Sequence, residues 1–239
     1  MALFKPHPVD SETLVTDISL RVSEIFYSLQ GESSWVGLPT VFVRLTGCPL
    51  RCSYCDTPYS FSGGSVKLLS ELVNEIETHN TEYICVTGGE PLAQKNCIKL
   101  LTLLCDKGYK VSLETSGSLD IADVDPRVKR VVDLKTPSSK ESDKNRFENI
   151  PLLVPLDEIK FVVCNREDYL WSVNIIHQYR LYDRVDNILF SPVFEVDGVI
   201  QRQDDFNEQV LAQWILDSRL PVRMQMQLHK LIWGDESGR

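Results

Sequence analysis

Gly47-Cys48-Pro49-Leu50-Arg51-Cys52-Ser53-Tyr54-Cys55-Asp56-Thr57 places three of the chain's seven cysteines within eight residues, spaced C-x3-C-x2-C. A loop of this spacing can turn three thiolates toward one centre. Cys52 and Cys55 could form half of a structural zinc site, or a redox dithiol. Neither reading uses the third cysteine, and no equally good fourth ligand lies nearby. An iron–sulfur cube ordinarily takes four cysteines, one per iron. Three would leave one iron open to bind and activate a small molecule.

The segment before this loop, Thr40-Val41-Phe42-Val43-Arg44-Leu45-Thr46, is β-branched and aromatic and reads as a strand. Downstream, Tyr83 to Thr87 reads as a buried strand ending in Gly88-Gly89-Glu90-Pro91. Tyr109 to Glu114 ends in Thr115-Ser116-Gly117. Val131 to Leu134 and Glu158 to Val163 are further strands, as is Asn187 to Ser191, which ends at Pro192. Upstream, Ser19 to Tyr27 reads as extended, followed by a turn-rich loop from Ser28 to Ser34. Val222 to Gln227 reads as a final strand. Between the strands, apolar residues recur at helical spacing. Leu68, Leu69, Leu72, Val73 and Ile76 mark one helix. Ile98, Leu101, Leu104 and Cys105 mark a second, with Gly108 as its stop. Leu170, Val173 and Ile176 or His177 give the inward stripe of a third. Val210, Leu211, Trp214 and Ile215 mark a fourth. Residues 136 to 156 read as a loop.

Strands alternating with helices predict an α/β fold with a parallel sheet, closed or partly closed into a barrel. The expected domains are a lead-in over 1–18, one core domain over 19–230 and a tail over 231–239. The chemistry-bearing residues fall where strands end, and in such folds those ends share one face. At 239 residues the chain is long enough for one sizeable core. Its formal charge of -9 argues against a nucleic-acid surface, which needs a basic patch. No apolar run is long enough to span a membrane. The first twenty residues carry His7, Asp10, Glu12 and Asp17 and no apolar block, so a secretory signal is not expected. An odd cysteine count then predicts reduced thiols in the cytoplasm.

Each candidate has a plainer reading beside it. Gly88-Gly89-Glu90 is a tight turn or a place where a ligand meets bare backbone. Gly31 is a turn glycine or a ligand contact. Arg44, on a strand with buried neighbours, must be paired, either in a structural salt bridge or with a substrate carboxylate. Asp56 and Thr57 either close the loop or offer oxygens to a hard divalent ion. Cys85, Cys97, Cys105 and Cys164 read as buried apolar thiols, and His229 as a tail histidine.

The cysteine spacing and the GGEP stretch resemble those of radical S-adenosylmethionine (SAM) enzymes. From about Ser23 to Lys230 the chain is similar to 7-carboxy-7-deazaguanine synthases of 7-deazapurine (queuosine) biosynthesis. The marks are Phe26-Tyr27-Ser28-Leu29-Gln30-Gly31-Glu32, the run from Val43 to Cys52, Cys55-Asp56-Thr57, Val86 to Pro91, Glu114 to Gly117, and Met226-Gln227-Leu228-His229-Lys230. The resemblance implies an incomplete (β/α)6-type barrel, usually a homodimer. It implies conversion of 6-carboxy-5,6,7,8-tetrahydropterin to 7-carboxy-7-deazaguanine with loss of ammonia. SAM would be cleaved and regenerated, and a one-electron donor such as flavodoxin is implied. Carried over by position, Cys48, Cys52 and Cys55 hold a [4Fe-4S] cluster and Thr57 binds Mg2+. Gly89, Ser116, Asp133, Leu134, Lys135, Ser191, Pro192, Val193 and Phe194 cradle SAM. Leu29, Gln30, Gly31, Arg44 and Thr87 contact the pterin, and His229 closes its end. Two departures stand out: Ser33 replaces a frequent glycine after LQGE, and Asp133-Leu134-Lys135 replaces Ser-Pro-Lys. The rival readings are a glycyl-radical-enzyme activase and a zinc-stapled interaction domain.

Overall fold

The computed structural model describes residues 4–8, 17–194, 205–234, 236 and 238. Among the described residues nine strands form one sheet. They are β1 (Ser19–Leu29), β2 (Pro39–Leu45), β3 (Ser65–Leu68), β4 (Tyr83–Gly88), β5 (Lys110–Thr115), β6 (Lys129–Asp133), β7 (Glu158–Val163), β8 (Asn187–Pro192) and β9 (Arg223–Met224). Their order is β3-β1-β2-β4-β5-β6-β7-β8-β9. From β2 to β9 every pairing is parallel. β1 instead runs antiparallel to both β2 and β3. The order does not return to its start, so the barrel is incomplete, with β3 and β9 at its edges.

The parallel strands are buried on both faces, as sheets covered by helices are. Val41, Val43, Leu45, Ile84, Val86, Leu113, Phe161 and Phe190 all lie in the core. Among the described residues the α-helices that accompany them are α1 (Leu69–Glu77), α2 (Cys97–Asp106), α3 (Arg166–Tyr179), α4 (Glu208–Ser218) and α5 (Leu228–Trp233). None among the described residues is long and apolar enough to cross a membrane. The β6–β7 crossover carries only short 3-10 turns, within the stretch the sequence reads as loop.

Several local readings change. The strand β3 escapes the sequence because Ser-Val-Lys-Leu is mostly exposed and exists through its pairing with β1. Residues Leu228–Trp233, read as running on into a tail, form α5, and the last strand shrinks to Arg223–Met224. In α3 the inward stripe is Tyr169, Ser172, Ile175 and Ile176, while Leu170 and His177 face solvent. The phase is set at the start of the helix. Asn165 caps it by accepting from Asp168 N at 2.9 Å, and buried Asp168 accepts from the amides of Ser138 and Cys164. Cys85, Cys97, Cys105 and Cys164 are buried, as expected.

At the amino ends of β6 and β7, Lys129 pairs with Glu158 and Arg130 with Asp157, at 2.6 and 2.5 Å, all four nearly solvent-free. These ion pairs lie at the opposite strand ends from the candidate site and tie the sheet together.

Candidate active site

One cleft opens over the carboxyl ends of the strands. It gathers Leu29, Gln30, Gly31, Arg44, Cys48, Cys52, Cys55, Thr57, Thr87, Gly89, Ser116, Asp133, Lys135, Ser191, Pro192, Val193, Phe194 and His229. Among the residues anticipated from sequence, only Leu134 stands apart. Its side chain is buried in the core and its amide donates to Lys160 O at 2.9 Å. Side chains alternate at the end of β6, so Asp133 and Lys135 face the cleft and Leu134 faces away.

The cysteine loop is fixed by its neighbours. Gly47, at φ +103°, donates to Ser60 O at 2.7 Å. Ser53 bonds the carbonyls of Ser139 and Ser138, and Arg51 N donates to Glu141. The Arg51 guanidinium bonds the carbonyls of Cys48 and Leu50 and lies 4.2 Å from the Phe61 ring centroid. Gly89 sits directly against this loop. A Cβ there would come within 2.5 Å of Gly47 O and 2.7 Å of Cys48 Cβ. Gly89 is therefore required by close packing. Glu90, fully buried, ties the ends of β4 and β5 together by accepting from Thr115 Oγ1, Ser116 N, Ser116 Oγ and Leu92 N.

Burial raises the Cys48 thiol and pushes Cys52 up to about 11. Stable thiolates there need positive charge, which bound iron supplies. Three half-buried cysteines on one cleft fit a cluster that spaces its thiolates widely. Among the described residues no three His, Cys, Asp or Glu groups converge as ligands of a single ion. Asp133 Oδ1 is buried with no donor, so the cleft keeps an open acceptor beside the cysteines that fits a polar ligand such as SAM.

On the same cleft, Arg44 lies between Phe26 and Tyr59, its Cζ 5.8 and 5.9 Å from their ring centroids. Its Nε donates to Glu24 Oε1 at 2.7 Å. Arg44 thus makes the structural salt bridge and still lines the cleft. Thr57 Oγ1 lies 4.0 Å from Cys55 Sγ, and the Thr57 carbonyl accepts from both the amide and hydroxyl of Ser60.

The cleft also holds a buried charge network. Lys160 Nζ lies 2.6 Å from Glu32 Oε2 and 3.4 Å from Asp133 Oδ2, and Lys135 Nζ lies 3.0 Å from Asp133 Oδ2. Gln227 Nε2 donates to Glu32 Oε1 at 2.7 Å, and Thr87 Oγ1 donates to Glu114 Oε2 at 3.1 Å. Burial alone would raise Glu32, but Lys160, Gln227 and His229 together hold its carboxyl down at about 2. Glu114 moves the other way, raised by burial and by repulsion from Glu32. The surroundings thus push these two carboxyls in opposite directions. Burial also lowers His229, whose ring rests on Gly31: a Cβ there would come within 2.0 Å of Nδ1. Gly31 is glycine because a histidine ring occupies the place of its side chain.

Glu32, Glu90, Glu114 and Gln227 lie in stretches the sequence marks but received no individual role from it, and Lys160 was marked only as part of a strand. A lysine inside the apolar strand Glu158–Val163 was the available signal, since a buried ammonium must have partners.

Residues 42–195 match the radical SAM superfamily. The chain is 40% identical over 223 residues to the 7-carboxy-7-deazaguanine synthase of Koribacter versatilis, covering 91% of this chain and 99% of that protein. The 7-carboxy-7-deazaguanine synthase of Chlorobaculum tepidum is 41% identical over 225 residues, 93% of this chain and 98% of that one. The crystal structure of QueE from Escherichia coli shares the fold, with a TM-score of 0.68 and 20% identity over 93% of this chain and 100% of that chain. With such identity maintained across nearly all of both sequences, the chain belongs to the radical SAM superfamily and, within it, to the 7-carboxy-7-deazaguanine synthases.

Proposed function

We propose that the chain converts 6-carboxy-5,6,7,8-tetrahydropterin to 7-carboxy-7-deazaguanine with loss of ammonia. The observation that carries this reading is one cleft lined together by an arginine, three cysteines and buried polar groups. Arg44 takes the substrate carboxylate. Leu29, Gln30, Gly31 and Thr87 line the pterin ring, and His229 closes it in. Gln30 offers a buried Nε2 with no partner. Glu32 accepts ring N–H donors, and the buried Glu114 carboxyl lines the same cleft.

Cys48, Cys52 and Cys55 would hold the [4Fe-4S] cluster. Gly89, Ser116, Asp133, Lys135 and the Ser191–Phe194 segment would hold SAM, with Leu134 contributing backbone alone. When bound, these two groups supply one-electron chemistry that ends in removal of a hydrogen atom from the substrate. The chain's part is to hold the substrate carbon in place and to exclude water.

A charge count supports Mg2+ at Thr57. Glu24 and Asp56 both act electrostatically on the Arg44 guanidinium and outnumber its single positive charge. A bound carboxylate adds another negative charge, which a divalent ion at the adjacent oxygens offsets. A homodimer, a cytoplasmic setting and a flavodoxin-type electron donor complete the proposal.

The test is anaerobic turnover. Protein reconstituted with iron and sulfide, given SAM, dithionite, Mg2+ and 6-carboxytetrahydropterin, forms 7-carboxy-7-deazaguanine by mass spectrometry. Cys52→Ala abolishes it. Cleavage of SAM to 5′-deoxyadenosine without that product would place the chain in the superfamily with a different substrate.

A further inference from the structure

The Arg44 salt bridge has more structure than strand pairing requires. In the antiparallel register of β1 and β2, Glu24 stands opposite Arg44, and a register shift between Val22 and Glu24 interrupts the pairing. Such a bulge re-aims the side chains that follow it. Here the Glu24 carboxylate reaches the Nε edge of the guanidinium. One oxygen, Glu24 Oε1, then accepts twice: from Arg44 Nε at 2.7 Å and from Tyr59 OH at 2.9 Å. Arg44 and Glu24 side chains are only 15% and 22% exposed. The guanidinium is therefore held by its edge and flanked by the rings of Phe26 and Tyr59. Its Nη1 and Nη2 make no hydrogen bond among the described residues, and Arg44 lines the cleft.

An arginine carries five N–H donors in a rigid fork. Structural arginine–carboxylate pairs frequently use the fork bidentately, as Arg130 does in this chain by reaching both oxygens of Asp157 through Nε and Nη2. Here Glu24 takes one edge donor and leaves the terminal pair open. We infer that Glu24, steadied by Tyr59, is a positioning residue that presents the Nη pair of Arg44 to a ligand carboxylate and so sets selectivity for a carboxylated pterin. This inference rests on the reading that Arg44 receives the substrate carboxylate. Without Glu24, the guanidinium is free to swing toward Asp56, and the fork loses its aim.

Two oxidised ligands that do not turn over separate this role from a structural one. Reconstituted protein with SAM and Mg2+ is titrated anaerobically with 6-carboxypterin and with pterin, which lacks the carboxylate. The wild type prefers 6-carboxypterin by about tenfold or more, as a charge-matched polar contact commands. Glu24→Ala brings the two affinities to within about threefold of each other while leaving pterin binding unchanged, because the lost interaction belongs to the carboxylate alone. Glu24→Gln, which keeps an acceptor oxygen, restores part of the preference, and Tyr59→Phe weakens it less than Glu24→Ala. In turnover, Glu24→Ala raises KM for the carboxylated substrate about tenfold or more with kcat nearly unchanged, the mark of lost uniform binding. A purely structural role would lower both affinities together, along with iron content and melting temperature. Full carboxylate preference in folded Glu24→Ala overturns the inference. If Glu24→Ala does not fold, Glu24→Gln and Tyr59→Phe decide by the same ratio. A wild type with no preference overturns the assignment of Arg44 itself, a distinct result.

Discussion

Ser33 adopts φ +64° directly after the Leu29-Gln30-Gly31-Glu32 loop. That region favours glycine and costs another L-residue about 1–2 kcal/mol. The serine offsets this cost. Its Oγ accepts from Trp35 N at 3.1 Å, and its amide donates to Gln225 Oε1 at 2.7 Å. Replacement of glycine at this position therefore exchanges backbone ease for a side-chain hydrogen bond worth about 1 kcal/mol. Ser33→Gly relieves the strain and loses that bond, so its urea unfolding free energy stays within about 1 kcal/mol of the wild type. Ser33→Ala keeps the strain and loses the bond, so it is less stable than Ser33→Gly by about 1 kcal/mol or more. Equal stability of the two variants would show that backbone strain is not at work. At this scale the sequence was informative wherever a residue type has few uses: the three cysteines, Gly89, Arg44. It was silent on Glu24 and marked Glu114 only as part of a strand-end stretch, because an acidic residue in a strand announces a partner without saying which.

Among the elements, the meeting of the β2 and β4 carboxyl ends builds the cysteine loop. Gly89 N donates to Leu45 O at 3.2 Å and Glu90 N to Gly47 O at 2.8 Å, so the two strand ends are stitched by backbone alone. This leaves no room for a side chain at Gly89. Gly89→Ala pushes the backbone of Gly47 and Cys48 aside while the sheet beneath keeps its pairing. Its iron content after reconstitution falls clearly below the wild type, and its circular dichroism is retained. Iron loading equal to the wild type would show that the loop tolerates the displacement. The strands themselves were legible because parallel strands buried on both faces are continuous apolar runs. The edge strand β3 and the short helix α5 were not, since neither carries a periodic pattern and each depends on what it packs against. The phase of α3 was misread for a related reason: its cap, not its apolar residues, fixes which side turns inward.

Across the whole molecule, Lys160 joins parts of the chain that are far apart in sequence. Glu32 lies 128 residues away and bonds Gln227, 195 residues further along from itself. Asp133 and Lys135 extend the network toward the cysteine loop. Removing the ammonium leaves buried carboxylates uncompensated, a loss of about 3–5 kcal/mol. Lys160→Met is therefore destabilised by that amount in urea at pH 7. The loss depends on pH. Glu32, held at about 2 against an ordinary 4.5, contributes stability that is present above 4.5 and lost as pH falls toward 2. Without Lys160 its carboxyl is raised by burial and is most easily accommodated when protonated. The difference between Lys160→Met and the wild type therefore narrows as pH falls below 4.5. A difference independent of pH would assign the loss to packing alone. By itself, the sequence determined the parallel α/β class, the cysteine loop and the strand ends that face one cleft, since these follow from local spacing and burial pattern. Tertiary structure alone decided the bulge that sets Glu24 opposite Arg44, the opposite shifts of Glu32 and Glu114, and the place of Lys160 beside Glu32 and Asp133. Each of these depends on strand register and on the loss of water around charges brought together from distant segments, which no local pattern encodes.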